Sequence, residues 1–245
     1  MMEEPVRISK LLSQRGICSR RDADAFLARG LVLLDGEPVT QLGVKALPSQ
    51  DLRLAPTALA ELARDVTILL HKPLGIVSGQ AEDGYTDAAA LIKPETHWPD
   101  DPAAIRWHPA HREHLAPAGR LDVDSTGLLV LTQNGAIAKQ LIDGSGTMEK
   151  EYFVRYAGVL SPHGLKLLNH GLRMDNRQLR PAVVTEEGKD TLKFLLREGR
   201  KRQIRRMCEA VGLRVVALKR TRIGNVTLGK LPYGEWRYLA PGETF

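Results

Sequence analysis

Apolar residues at helical spacing predict two short helices near the start of the chain. Ile8, Leu11 and Leu12 share one face of the first helix. Ser19 lies three residues before Asp22, which is the spacing of a capping box, so the second helix is predicted to begin at this pair.

A strand pair is predicted to follow the two helices. Val32 and Leu34 alternate with other residues and lead to Asp35 and Gly36, a dipeptide that favours a tight hairpin turn before Val39. Residues 6–54 therefore indicate one compact unit of two helices and a small sheet.

A second unit begins with a continuous apolar run at residues 67–70, which is typical of a buried strand, and Pro73 and Gly75 then force a turn. Residues 93–118 contain five prolines and no periodicity, so they are predicted to form a long irregular loop. The predicted division of the chain is a first domain at 1–58, a linker at 59–65 and a second domain at 66–245.

Composition places the chain among globular proteins. Hydrophobic residues make up 43% and charged residues 26% of its 245 residues, far from the signature of disorder. Its only cysteines, Cys18 and Cys208, are too few for a disulfide framework, which favours a reducing compartment. With no basic leader and no apolar run of about 18 residues, we expect a cytoplasmic protein without a membrane partner.

Positive charge is concentrated in two segments. Residues 6–30 hold six basic side chains against two acidic ones, and residues 193–222 hold eleven against two. The first segment is also consistent with a solvated helix face. The second segment carries more net charge than the +6 of the whole chain. Its basic side chains would repel one another, and this repulsion favours a polyanionic partner such as RNA.

The candidate chemistry is concentrated at residues 119–135. Arg120 and Asp122 lie in a polar turn that leads into an apolar segment. A nearby arginine favours the ionised form of a carboxyl group, as a nucleophile or general base requires. Local spacing leaves a helix cap as the alternative.

Two other interpretations of the candidate site are disfavoured. His108, His111 and His114 have a three-residue spacing, but Pro109 interrupts any helix that could pair them as metal ligands, so no metal is expected. Asp122 and the carboxylate two residues later would lie side by side on a strand, whereas a glycosidase needs two carboxylates that flank a sugar.

The N-terminal segment resembles the S4 RNA-binding module. The resemblance rests on residues 6–24, from Val6 to Asp24, followed by Gly-Leu-Val-Leu-Leu-Asp-Gly-Glu at 30–37. It implies RNA contact through a set of mostly basic side chains, namely Arg7, Lys10, Arg15, Ser19, Arg20, Arg21 and Arg29.

The rest of the chain resembles RNA pseudouridine synthases, in the branch that carries an S4 domain and modifies ribosomal RNA. Three motifs occur in order: Gly-Arg-Leu-Asp with Ser-Thr-Gly-Leu-Leu at 119–129, Glu-Lys-Glu-Tyr-Phe-Val at 149–154, and Glu-Gly-Arg-Lys-Arg-Gln-Ile-Arg-Arg-Met at 198–207. The family implies an α+β fold in which the catalytic domain has a mixed, largely antiparallel sheet. The proline-rich residues 94–117 depart from the pattern.

The resemblance assigns roles to individual residues. Asp122 is expected to be the catalytic aspartate, Arg205 its ion-pair partner, and Arg120 a support. Tyr152 and Ile204 are expected to pack on the two faces of the uracil. The remaining expected substrate-binding residues are Lys150, Lys72, Arg200, Arg202 and Arg206.

The implied reaction isomerises a uridine to pseudouridine. It needs no electron or phosphoryl donor, so no cofactor is expected. The segments 219–226 and 234–237 look most like large-subunit members, which points to 23S ribosomal RNA, with 16S ribosomal RNA as the alternative. A catalytically idle assembly factor is the other alternative. The expected partner is ribosomal RNA or a ribosome assembly intermediate, bound by a monomer.

Overall fold

A computed structural model of the chain describes residues 3–79, 84–142 and 148–245. Helices and strands are interspersed along these residues, as in an α+β protein. The α-helices are α1 (Ile8–Gln14), α2 (Arg20–Ala28), α3 (Pro56–Leu62), α4 (Gly135–Ile142), α5 (Pro162–Asn169) and α6 (Gln203–Ala210).

Most strands are short, and the longest ones form the centre of a single large sheet. In chain order they are β1 (Val6–Arg7), β2 (Val32–Leu34), β3 (Glu37–Val39), β4 (Lys45–Ala46), β5 (Leu52–Leu54), β6 (Thr67–Lys72), β7 (Ile76–Val77), β8 (Thr86–Asp87), β9 (Ala116–Pro117), β10 (Thr126–Thr132), β11 (Lys150–Ala157), β12 (Arg173–Met174), β13 (Arg177–Gln178), β14 (Val183–Glu186), β15 (Thr191–Leu196), β16 (Arg214–Ile223), β17 (Val226–Thr227) and β18 (Trp236–Tyr238).

The N-terminal unit forms as its local sequence predicts. The Ser19 hydroxyl accepts a hydrogen bond from the Asp22 amide, and the Asp22 carboxylate accepts one from the Ser19 amide, both at 3.1 Å, so the capping box is confirmed. Asp35 and Gly36 both have positive φ, at 52° and 91°, which suits the tight turn between β2 and β3. Strands β3, β2 and β5 pair in that order.

Helix α3 crosses the predicted boundary at residue 58. Ala58 is fully buried in the N-terminal core, and Glu61 forms a two-pronged ion pair with Arg29 of the same unit, at 2.7 and 2.8 Å. Much of the predicted linker at 59–65 is therefore helical and attached to the first unit. The exact domain limits stay predictions.

A nine-stranded sheet forms the second unit. Its main path runs β14-β15-β11-β16-β10-β6-β18, and β17 and β9 pair with β16 and β10 at its sides. Among the described strand pairs of this nine-stranded sheet, only β10–β16 is parallel. The predicted mixed, largely antiparallel sheet is confirmed.

Both faces of this sheet are covered. Alternate residues of β6 and β10, such as Leu70 and Leu129, pack in one cluster with Ile204 of α6. The intervening residues, such as Leu69 and Leu128, pack in a second cluster on the opposite face. This two-sided burial explains why residues 67–70 read as a continuous apolar run rather than an alternating one.

The register places five residues in one row across the centre of the sheet. Lys72 pairs with Gly127, Gly127 with Arg220, Arg220 with Tyr152, and Tyr152 with Phe194. Residues directly opposite each other in a sheet point to the same face. The row therefore collects two cations and two aromatic rings on the face that α6 covers.

The segment 93–118 is irregular, as predicted, apart from 3₁₀ turns and the short strand β9. It is anchored on β18. Asp101 accepts a hydrogen bond from the Tyr238 amide at 2.8 Å and lies 2.7 Å from the Nε2 atom of His97. The His97 ring stacks on Trp236 with their centroids 4.3 Å apart, so this long segment has a defined path.

None of the helices in the described ranges has the length and apolar character that crossing a bilayer requires.

The tight approach of β10 to β16 predicts that Gly127 cannot be replaced. A Cβ atom at this position would lie 2.1 Å from the backbone oxygen of Arg220, and the residue has a φ of +109°. We expect Gly127→Ala to lower the free energy of unfolding by at least about 2 kcal/mol, measured by urea denaturation. The control is Gly199→Ala, where the added Cβ meets open space. Equal stability of the two variants would contradict the expectation.

Candidate active site

A tight loop at residues 119–125 carries Asp122 into β10. The buried Ser78 hydroxyl donates to the Leu121 carbonyl at 2.7 Å and accepts from the Leu121 amide at 2.8 Å. The Gly75 amide donates to the Val123 carbonyl at 2.9 Å. The loop backbone is therefore held on both sides of Asp122, whose side chain stays about one third exposed (33%).

The predicted ion pair between Arg205 and Asp122 is wrong. Arg205, on α6, is buried, and its Nη2 atom donates to the Asp124 carbonyl at 2.8 Å and lies 3.2 Å from the Asp124 carboxylate. The same atom lies 3.4 Å from the Ser125 hydroxyl. Arg205 therefore holds the second half of the loop, and its charge is matched by Asp124.

Arg202 is the cation that lies beside both loop carboxylates. Its guanidinium is 3.2 Å from Asp124 and 3.9 Å from Asp122. Arg202 is the N-cap residue just before α6 and lies in the left-handed backbone region, with φ of 53°. This conformation costs free energy in residues other than glycine and is often found at functional sites. The hydrogen bond to Asp124 raises the pKa of Arg202. The positively charged neighbour of Asp122 is thus Arg202, whereas the expected one was Arg205.

Lys72 is buried at the end of β6, below the loop. Its ammonium donates to the carbonyls of Pro73 and Ile76, both at 2.7 Å, and its exposed fraction is 0%. Burial lowers the pKa of Lys72 to about 8, although the charges of Asp124 and Asp122 act in the opposite direction. Lys72 stays mostly cationic at neutral pH and loses its proton on moderate alkalisation.

The structure brings the two predicted uracil-packing residues into one apolar cluster. Tyr152 on β11 and Ile204 on α6 are both buried and belong to the cluster on the α6 face of the sheet. Lys150 begins β11 and donates to the Met148 carbonyl at 3.3 Å. Burial, and then the charge of Arg220, lowers the pKa of Lys150. The roles of these residues toward a substrate stay predictions.

Three residues of this site were missed as site residues by sequence reasoning. Ser78 carries no motif signal. Asp124 was weighed only as half of a carboxylate pair. Arg220 was counted only as part of a basic run, although it lies two residues after Leu218 on the same strand, and this spacing places both on the same face.

Much of the basic segment 193–222 is neutralised within the protein. Arg206 forms a two-pronged pair with Asp175 at 2.8 and 3.1 Å, and Arg200 donates to the Met174 carbonyl and lies 3.5 Å from Glu198. Arg222 pairs with Glu149 at 2.7 Å. These carboxylates, most of them from outside the segment, offset much of the repulsion among its cations, so that repulsion alone does not require an RNA partner.

The predicted RNA-binding residues of the N-terminal unit divide into two groups. Arg15 donates to the carbonyls of Pro48 and Gln50, Arg29 is paired with Glu61, and Ser19 caps α2. Arg15 and Arg29 are exposed but already have these partners. The other four side chains, Arg7, Lys10, Arg20 and Arg21, are exposed and form no hydrogen bond or ion pair with the described residues.

Two histidines of the 93–118 segment, His108 and His111, have structural partners. His108 and His111 cap a 3₁₀ turn, and the Nδ1 atom of His111 lies 2.7 Å from the Tyr238 hydroxyl. In the described parts of the chain, no three His, Cys, Asp or Glu side chains are grouped as metal ligands would be.

Comparison with known proteins agrees with this architecture. The RNA pseudouridylate synthase family model matches residues 66–210, and the S4 domain model matches residues 6–52. The chain is 35% identical to an RNA pseudouridine synthase of Aquifex aeolicus (strain VF5), over 99% of this chain and 93% of that protein.

Two further relatives carry more specific names. The dual-specificity RNA pseudouridine synthase RluF of Escherichia coli (strain K12) is 34% identical over 98% of this chain and 78% of its own length. The ribosomal large subunit pseudouridine synthase B of Bacillus subtilis (strain 168) is 31% identical over 97% and 93%, respectively.

A solved structure shares the fold of the whole chain. A crystal structure of a pseudouridylate synthase superposes with a TM-score of 0.64 at 25% identity and covers 96% of both chains. Family models, full-length relatives and fold agree, and both resemblances found in the sequence are confirmed. The chain belongs to the RNA pseudouridine synthase family and carries an S4 domain before its catalytic domain.

Proposed function

We propose that this protein converts a uridine of ribosomal RNA to pseudouridine and that Asp122 is the carboxylate that acts on the nucleotide. The observation that carries the proposal is the position of Asp122, partly exposed on a loop that is fixed from both sides. Below that loop lies a row of buried cations and Tyr152. A reactive carboxylate needs access to the substrate and a rigid support, and Asp122 has both.

The reaction exchanges one bond for another. The bond between C1′ of the ribose and N1 of uracil breaks, and its electron pair stays on the uracil. C5 of the rotated base then bonds to C1′, the proton on C5 leaves, and N1 takes up a proton. Asp122 either adds to C1′ or removes the C2′ proton, and both routes need an ionised carboxylate.

The substrate must leave its stack to reach Asp122. Flipping a nucleotide out of RNA costs a few kcal/mol, and stacking a base on an aromatic ring returns about 1–3 kcal/mol. We assign this stacking to Tyr152. Lys72, Lys150, Arg200, Arg202 and Arg206 are proposed to bind the RNA near the site. Arg120 is proposed to support the Asp122 loop through its backbone, because its carbonyl is held at 3.4 Å by Arg220.

We propose 23S ribosomal RNA as the substrate class. One relative is named as a large-subunit enzyme, while another is named as dual-specificity, which leaves room for a second target. A 16S substrate and an idle assembly factor are the alternatives. The fixed and accessible Asp122 argues against the idle factor. The cytoplasmic location and the monomeric state stay predictions.

The decisive experiment maps pseudouridines in ribosomal RNA from cells with and without this protein. We expect one or a few positions of 23S RNA to lose the modification, and purified protein to restore it. A lost position in 16S RNA would select the small-subunit alternative. An unchanged map, with no activity of the purified protein on either RNA, would favour the idle factor.

The first prediction concerns the two loop carboxylates. Asp122→Asn should lower the single-turnover rate at saturating RNA by at least about a hundredfold, with RNA affinity and melting temperature unchanged, because it removes the reactive charge. Asp124→Asn is the matched control. It leaves the buried Arg205 without its carboxylate, so we expect lower stability with a smaller loss of rate. The opposite ranking of the two rates would assign the reaction to Asp124.

The second prediction concerns the S4 domain. Replacing Arg20 and Arg21 with Gln should weaken RNA binding and make the plot of log K against log salt shallower by about 1 to 2, since each phosphate contact contributes about 0.7 to 0.9 to the slope. The control is Arg29→Gln, which removes a side chain already paired with Glu61. An unchanged slope in the double variant would show that this face does not touch the RNA.

A further inference from the structure

Arg220 is a buried arginine whose charge has no carboxylate partner in the described residues. Its exposed fraction is 2%. Its Nε atom donates to the Leu128 carbonyl at 2.8 Å and its Nη1 atom to the Arg120 carbonyl at 3.4 Å. Within the described ranges its Nη2 atom is buried and has no hydrogen-bond partner.

The same domain shows how a buried arginine is otherwise accommodated. Arg237 is 6% exposed and forms a two-pronged pair with Glu243 at 2.6 and 2.7 Å. Arg205, which is 8% exposed, has Asp124. Burying a charge without a partner of opposite charge costs free energy. The lack of a carboxylate beside Arg220 in the described residues therefore needs a reason other than packing.

The neighbours of Arg220 increase the positive charge of its surroundings. Lys72 and Tyr152 lie in the same row of the sheet. The charge of Arg220 contributes to lowering the pKa of Lys72 and of Lys150. The charged and titratable groups that face this region are Lys72 on β6, Lys150 and Tyr152 on β11, Arg202 and Arg205 at α6, and Asp122 and Asp124 on the loop. With Arg220, five cations thus face two carboxylates, which leaves the site short of negative charge.

A negative charge develops transiently in the site during the proposed reaction. When the bond to C1′ breaks, the uracil leaves as an anion whose charge is spread over N1, O2 and O4. Preorganised positive charge in a dry site stabilises an anion that develops during a reaction. An arginine stays charged throughout the working pH range, whereas a buried lysine does not.

We propose that Arg220 is a positioning residue of this reaction, which holds the Asp122 loop through the Arg120 carbonyl and supplies fixed positive charge that stabilises the departing uracil anion. The inference rests on the proposed function. It assigns Arg220 no contact with the substrate, since the side chain is covered by the loop it supports.

The test compares two RNA substrates that differ in the leaving base. Fluorine at C5 withdraws electrons, so 5-fluorouracil leaves more easily as an anion and needs less stabilisation. We expect Arg220→Met to lower the single-turnover cleavage rate about a hundredfold on uridine RNA and about tenfold or less on 5-fluorouridine RNA. RNA affinity should stay within about twofold of the parent. An equal loss on both substrates would overturn the electrostatic role.

Arg237→Met is the matched control, because it also removes a buried arginine from the sheet. It should lower stability and affect both substrates equally. Inactivity of the parent protein on the uridine RNA would refute the proposed function itself, whereas an active parent with equal losses in Arg220→Met would refute only the role of Arg220.

Arg220→Lys keeps the inference testable where Arg220→Met fails to fold. Lysine retains a positive charge, but burial lowers its pKa. At neutral pH the single-turnover rate of this variant should therefore approach that of the parent. As the pH is raised, the rate of the variant should begin to fall at a lower pH than the rate of the parent does. A rate that is equally low at all pH values would contradict the need for charge at this position.

Discussion

The close approach of β10 and β16 at Gly127 is the constraint on which the site depends. No side chain fits between Gly127 and the backbone of Arg220, so the parallel pairing of the two strands requires a glycine at this position. The pairing aligns Lys72 and Arg220 on either side of Gly127. It also directs the residues just before β10, including Asp122, over the start of α6. A wider spacing would separate the loop from the arginines that hold it.

Charge pairing then separates the cations that have a carboxylate partner within the protein from those that do not. Arg205, Arg206, Arg222 and Arg237 have carboxylate partners close by. Hydrogen bonds to uncharged carbonyls hold Lys72 and Arg220 instead. A carbonyl orients a cation without cancelling its charge, so the field of these two side chains stays available to an anion in the site.

Local signals made the N-terminal unit predictable. The capping box at Ser19 and the turn at Asp35 and Gly36 are each formed by a few neighbouring residues. The apolar run at 67–70 is likewise a local signal, since it reflects burial of that strand on both faces. The pairing of Arg205 with Asp124 joins residues 81 positions apart, and nothing in the local sequence distinguishes Asp124 from Asp122 as its partner. Family motifs identified which residues gather at the site, while the choice of partners followed from tertiary geometry.

The contact between the two units also depends on a glycine, because no side chain fits at the point of closest approach. A Cβ atom at Gly135, the first residue of α4, would lie 2.1 Å from the Cβ of Ser19. The Lys139 ammonium, one turn further along α4, donates to the Ser13 carbonyl at 2.6 Å. Ser19 is also the cap of α2, so the helix that begins with Arg20 and Arg21 starts where the catalytic domain touches it. Because β10 leads directly into α4, the strand that carries Asp122 at one end carries the S4 contact at the other. The seven-residue strand β10 therefore separates the loop that carries Asp122 from the contact with the start of α2, and its length sets the distance between them.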